Sequence, residues 1–179
     1  MVLEPEERKL FFSNWLGLLA YVNKKHKLVK GFGQPVTPVG IKPETIIKIK
    51  NKLWKKPEII DEYIDSVWDL PNDNIQILKS WKKGIAAKFL VVRHLKKHSV
   101  FLHTENHTLY GVYGITSPIA EMIPTECLPV LLDTVLIPFK GVIIYDSVFQ
   151  IKNISFGSNM RREYNQIYLG NKKNIITTL

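Results

Sequence analysis

Up to about Gly84 the apolar residues recur at helical spacing, and from Ala86 onward they fall into short β-rich runs separated by polar turns. A stripe repeating every three to four residues suits a helix packed on one face, whereas short β-branched and aromatic runs between turns suit strands. A chain that spends its helices first and its strands later points to an α+β fold rather than to repeated βαβ units. The expected architecture is an N-terminal helical region, residues 1–84, packed with an antiparallel sheet of about five to six strands within residues 85–179 and a terminal helix. No flexible linker marks the change, so the two regions are also compatible with one compact domain.

About four helices are expected in the first region. The first runs from Pro5 to about Lys25. Proline suits a first turn, Glu6 and Glu7 lie at the positive end of the helix dipole, and Lys24, Lys25 and Lys27 crowd the negative end. Phe11, Trp15, Leu18 and Val22 form its apolar stripe. A Gly- and Pro-dense loop over residues 30–42 follows, then helices that begin at Pro43 and Pro57 and end near Lys55 and Trp68. A fourth spans about Asp73 to Lys83, with Gly84 as its stop. Trp15, Trp54, Trp68 and Trp81 all fall on or beside apolar stripes and are expected in the core.

In the second region, residues 88–95, 99–104 and 108–115 read as a meander of three strands. A short helix is expected at 117–123, then two strands joined across Lys140 and Gly141, and another strand at 152–156. The final helix, 158–169, takes Ser158 as its cap and places Met160, Tyr164, Ile167 and Tyr168 on one packed side.

The longest apolar stretches fall short of the roughly 20 residues a membrane span needs. The segment "EPEER" is acidic where an export signal is basic. Cys127 is the only cysteine, which excludes an intrachain disulfide and a cysteine zinc cage. A cytoplasmic protein without a membrane partner is expected, and no motif implies a cofactor. Lys plus Arg number 25 against 16 Asp plus Glu, a formal charge of +9, which favours an anionic partner such as nucleic acid or a nucleotide.

Three segments compete as the site. The histidine-rich stretch 93–107 offers His94 and His103 as metal ligands or bases if the hairpin brings them together across its ladder, although it lacks a compact ligand motif. In "SFGSNMRR" a strand runs into Gly157 and Ser158 and then a helix bearing Arg161 and Arg162, a combination of free N–H groups and guanidinium groups that suits an anion. The second helix presents Lys48, Lys52 and Lys55 on one face, typical of phosphate-backbone contact. The next helix, however, carries Glu58, Asp61, Glu62 and Asp65, which can neutralise that face internally.

The segments "RHLKKHSVFL", "YGVYGITSPIAEM", "TVLIPFKGVIIYD" and "ISFGSNMRREYNQIY", in this order, resemble a group of uncharacterised bacterial proteins, with the likeness extending over nearly the whole chain. "LIPFKGVIIYD" and "ISFG" followed by arginines are its most specific parts; Ser147 stands where the likeness leads one to expect glycine. The resemblance implies no activity, but it adds weight to a site built from Lys140, Tyr145, Asp146, Arg161 and Arg162. Binding of an anionic partner is the leading functional expectation. The alternatives are a hydrolase or phosphoryl-transfer enzyme using Asp146 and Tyr145 with Arg161 around a phosphate, and a protein–protein adaptor.

Overall fold

A computed structural model describes residues 1–32 and 41–179, so the expected loop at 30–42 lies mostly outside the described residues. The chain forms two compact units, one of Glu4–Lys82 and one of Met1–Leu3 with Lys83–Leu179. The class is α+β.

The helical unit contains α1 (Pro5–His26), α2 (Pro43–Trp54), α3 (Ile59–Ser66) and α4 (Asn72–Trp81). Glu4 and Glu7 form a reciprocal capping box at the start of α1, and Lys27 ends it in the left-handed conformation. Trp15 is fully buried, stacked on Phe11 and Trp54 and edge-on to Trp81 at 5.7 Å. This aromatic cluster joins α1 to α2 and α4. Trp68 corrects the expectation that all four tryptophans are core. Helix α3 stops at Ser66, short of the tryptophan, and the ring is fully exposed.

The second unit is built on β1 (Ile85–His94), β2 (Ser99–His103), β3 (Leu109–Val112), β4 (Val130–Phe139), β5 (Val142–Tyr145) and β6 (Gln150–Ile151). Strands β1, β2 and β3 form the expected meander. The expectation of an antiparallel sheet needs correction, because β3 and β5 run parallel, with Val112 opposite Ile143. The sheet also closes on itself. Ile85–Val91 of β1 pair with β4 while Phe89–His94 pair with β2, giving the ring β1-β2-β3-β5-β4-β1 with β6 added on β4. Strand β4 returns beside β1 after a long connection, the Greek-key arrangement. The expected strand at 152–156 is not formed; the extra strand is β6, just before it.

Successive residues alternate between the inside and outside of this barrel. Phe89, Phe101, Tyr110 and Tyr145 fill the interior with Phe149, in ring contacts between 4.1 and 6.2 Å. On the outer side, Leu90, Val100, Leu102 and Leu109 are buried beneath Phe156, Tyr164, Ile167 and Tyr168, the last three from α6 (Ser158–Asn171). Met160 departs from the expected packed face and is 43% exposed. The chain ends tie into the barrel: Gly114 N–H donates to Met1 C=O at 3.1 Å and Gly111 N–H to Ile176 C=O at 2.8 Å. A short helix, α5 (Ile119–Met122), lies in the β3–β4 connection, and among the described residues no helix is long and apolar enough to cross a membrane.

Two glycines separate packing from propensity. A Cβ at Gly114 would lie 2.1 Å from the backbone oxygen of Ser117, which cannot swing aside, whereas one at Gly170 in α6 meets nothing within 4 Å. In urea denaturation Gly114→Ala is expected to cost about 1–3 kcal/mol, and Gly170→Ala to be neutral or to add about 0.5–1 kcal/mol.

Candidate functional site

The β1–β2 hairpin holds a β-bulge: Val91 faces Phe101, but Arg93 faces Val100. The extra residue, Val92, reverses the alternation of the strand beyond it. Arg93 therefore turns outward toward α6. His94, expected to share a face with Leu90 and Val92, instead stands opposite Ser99.

Arg93 is held there by uncharged groups. One of its terminal N–H groups donates to Asn165 Oδ1 at 2.8 Å, and its guanidinium lies 4.8 Å from the centre of the Tyr168 ring. Arg161, one turn into α6, donates from Nε to Phe156 C=O at 2.9 Å and from a terminal nitrogen to Leu128 C=O at 2.8 Å. Both arginines line one cleft of about 510 Å³, together with His94, Pro129, Tyr164 and Tyr168. Among the described residues its wall contains no carboxylate. His94 donates from Nε2 to Ile123 C=O at 2.8 Å, which leaves Nδ1 to accept from Ser99 Oγ at 2.7 Å. Burial pushes its pKa below the ordinary histidine value, against the opposing effect of the Ile123 carbonyl. The positive charge of the cleft comes from the arginines.

The other expected site residues are dispersed. Gly157 is the N-cap of α6 and Ser158 its first residue, so Ser158 is not the cap; neither lines the cleft, nor does the exposed Arg162. Lys140 sits in the β4–β5 turn with φ +46°. Asp146 is fully buried beside β4, where its Oδ1 accepts from Thr134 Oγ1 at 2.9 Å and Val135 N–H at 3.3 Å. Tyr145 is buried in the barrel, its hydroxyl 3.9 Å from Met122 Sδ. A single site of Lys140, Tyr145, Asp146, Arg161 and Arg162 is thus not assembled, because the carboxyl group that was to share the phosphate with Arg161 is engaged inside the barrel wall. The expected turn after Asp146 is made all the same, by Ser147 at φ +76°.

His94 and His103 are not brought together either. His94 is opposite Ser99 and His103 opposite Phe89, at the two ends of the hairpin and roughly 13 Å apart along β2 at a strand's rise per residue. His103 Nδ1 accepts from Glu105 N–H at 3.2 Å within the β2–β3 turn. Among the described residues no cluster of histidine, cysteine and carboxylate side chains is arranged to hold a metal.

In the helical unit, Lys48, Lys52 and Lys55 are exposed along α2 and its end. Two acids of α3 are engaged elsewhere, Glu62 with Lys25 and Lys56 and Asp61 with Lys82. The hydrogen bond from Lys25 holds the Glu62 carboxyl below its ordinary pKa. Among the described residues no ion pair joins Lys48, Lys52 or Lys55 to an acid of α3.

Arg93 and the cleft itself were not legible in the sequence as site features. Its only local signal, an arginine inside an apolar run, places it inward under strict alternation, and the bulge that reverses it depends on the pairing with β2. Compared with known proteins, the chain matches no family model, no curated protein and no solved structure.

Arg161 bridges two carbonyls while Arg162 bonds to nothing in the cleft, so their replacements separate. Arg161→Ala is expected to cost about 1–2 kcal/mol by thermal denaturation, since hydrogen bonds from charged donors contribute on that order and these are partly hydrated. Arg162→Ala is expected to stay within about 0.5 kcal/mol. Burial, supported by the nearby Asp146 and opposed by a bond to the Ile115 backbone, pushes Tyr145 up to about 12 from an ordinary value of 10.0. The buried phenol therefore contributes its full stability below pH 10.0 and loses it as the pH rises toward about 12. Ultraviolet titration of the native protein should retain a late phenolate transition that Tyr145→Phe removes.

Proposed function

We propose that this protein binds an anionic partner, a nucleic acid or nucleotide, at the cleft between β1, the 125–129 segment and α6. The observation that carries this reading is the pairing of Arg93 and Arg161 in one cleft without a carboxylate to neutralise them. Arginine held in a fixed orientation presents planar, forked donors that match phosphate oxygens. Lys96 and Lys97, exposed on the turn that follows β1, and the formal charge of +9 add a field of the same sign. Lys48, Lys52 and Lys55 offer a second, sequence-independent contact surface for a phosphate backbone.

The architecture lends support by analogy. A five-stranded Greek-key barrel is the framework of OB-type domains, which bind oligonucleotides and oligosaccharides on the β2–β3 face and the adjoining loops. Here α6 covers the outer side of β2 and β3, so the analogy supports the class of ligand and not its position. Fold alone assigns no function. The hydrolase alternative loses its premise, because Asp146 is bonded within the barrel wall and does not line the cleft with Arg161.

Fluorescence anisotropy with labelled single-stranded DNA and RNA tests the proposal. Binding is expected at about 50 mM salt and should weaken steeply toward about 200 mM. Arg93→Gln, which removes an exposed side chain, is expected to weaken it about tenfold or more. Absence of binding to both polymers and to mononucleotides at low salt overturns the reading.

A further inference from the structure

We infer that the cleft is a receptor for a phosphomonoester, the terminal phosphate of a nucleotide or of a nucleic-acid strand, rather than for the internal diesters of a strand. The inference rests on the reading of the cleft as an anion site. Its ground is the way the two guanidinium groups are fixed. Arg93 is held by a neutral amide and the face of Tyr168, and Arg161 by two main-chain carbonyls. Each keeps further N–H donors beyond those bonds. Like charges drawn into one cleft repel, and the arrangement includes no acid to relieve them. A group with two negative charges relieves both at once, whereas a diester, with one, relieves half. Positions already fixed before binding lower the entropic cost of capturing such a group.

The size of the cleft points the same way. Its volume of about 510 Å³ falls within the range of small-molecule sites and suits one nucleotide rather than a strand running through. Tyr164, half-buried and edge-on to Phe156 at 5.6 Å, and Pro129 supply an apolar wall for a base or sugar beside the phosphate.

The test compares one labelled oligonucleotide in three forms, with a 5′-phosphate, with a 3′-phosphate and with hydroxyls at both ends, and competes each with AMP and with adenosine. A phosphorylated end should bind at least tenfold tighter than the unphosphorylated strand, and AMP should displace it where adenosine does not. Strong competition by AMP would identify a free nucleotide as the source of the group, and weak competition beside a large end effect would identify a strand end. Equal binding of all three forms, weakened by Arg93→Gln and untouched by AMP, would overturn this inference and leave the anion-binding cleft standing. If neither the oligonucleotides nor AMP bind, both fall. The comparison among ligands uses the unaltered protein, so it does not depend on the folding of any variant.

Discussion

Strand β1 bonds along both of its edges, and the second unit depends on that double use. Phe89, Leu90 and Val91 each have a partner in β4 on one side and in β2 on the other. Residues 85–87 pair along the β4 edge, and residues 93–94 along the β2 edge. This stagger tilts the strands and lets a short sheet close instead of ending in open edges. Closure creates an inside, which the aromatic side chains fill, and an outside whose apolar residues still need a cover. Helix α6 and the chain end provide it.

The cleft is a by-product of that cover. The side chains of Tyr164, Ile167 and Tyr168 hold α6 against the outer surface of β1, β2 and β3. Its first turn then stands near the 125–129 segment, where Arg161 joins Leu128 C=O to Phe156 C=O. The bulge in β1 delivers Arg93 to the same place. Both arginines therefore tie α6 down as well as supply charge, Arg161 to the main chain at Leu128 and Phe156 and Arg93 from β1 to Asn165 and the Tyr168 ring.

Of the expected site residues in "SFGSNMRR", Arg161 alone lines the cleft, and His94 joins it from β1. The free N–H groups of Gly157 and Ser158 suggested an anion at the helix start, whereas the cleft lies one turn further along and uses a side chain. An aspartate in an otherwise apolar segment looks chemical, but Asp146 is buried and bonded to β4. Such a carboxylate also serves a barrel wall, where its Oδ1 satisfies the Thr134 hydroxyl and the Val135 N–H. The histidines of 93–107 draw attention by number, but His94 is bonded to Ser99 Oγ and Ile123 C=O, and His103 to the N–H of Glu105 in its own turn.

The sequence by itself determined the local elements: helices begun by Pro5 and Pro43, the change of period near Gly84, the meander, and a final helix with an apolar stripe. These follow from spacing, capping and turn chemistry, which act over a few residues. Only the tertiary structure decided the parallel pairing of β3 with β5, the return of β4 to β1, the outward turn of Arg93, the burial of Asp146 and the exposure of Trp68. Each depends on which distant segment lies alongside. Pairing partners are separated by long stretches of chain, and a single unpaired residue such as Val92 reverses the facing of those after it without leaving a mark in composition or periodicity.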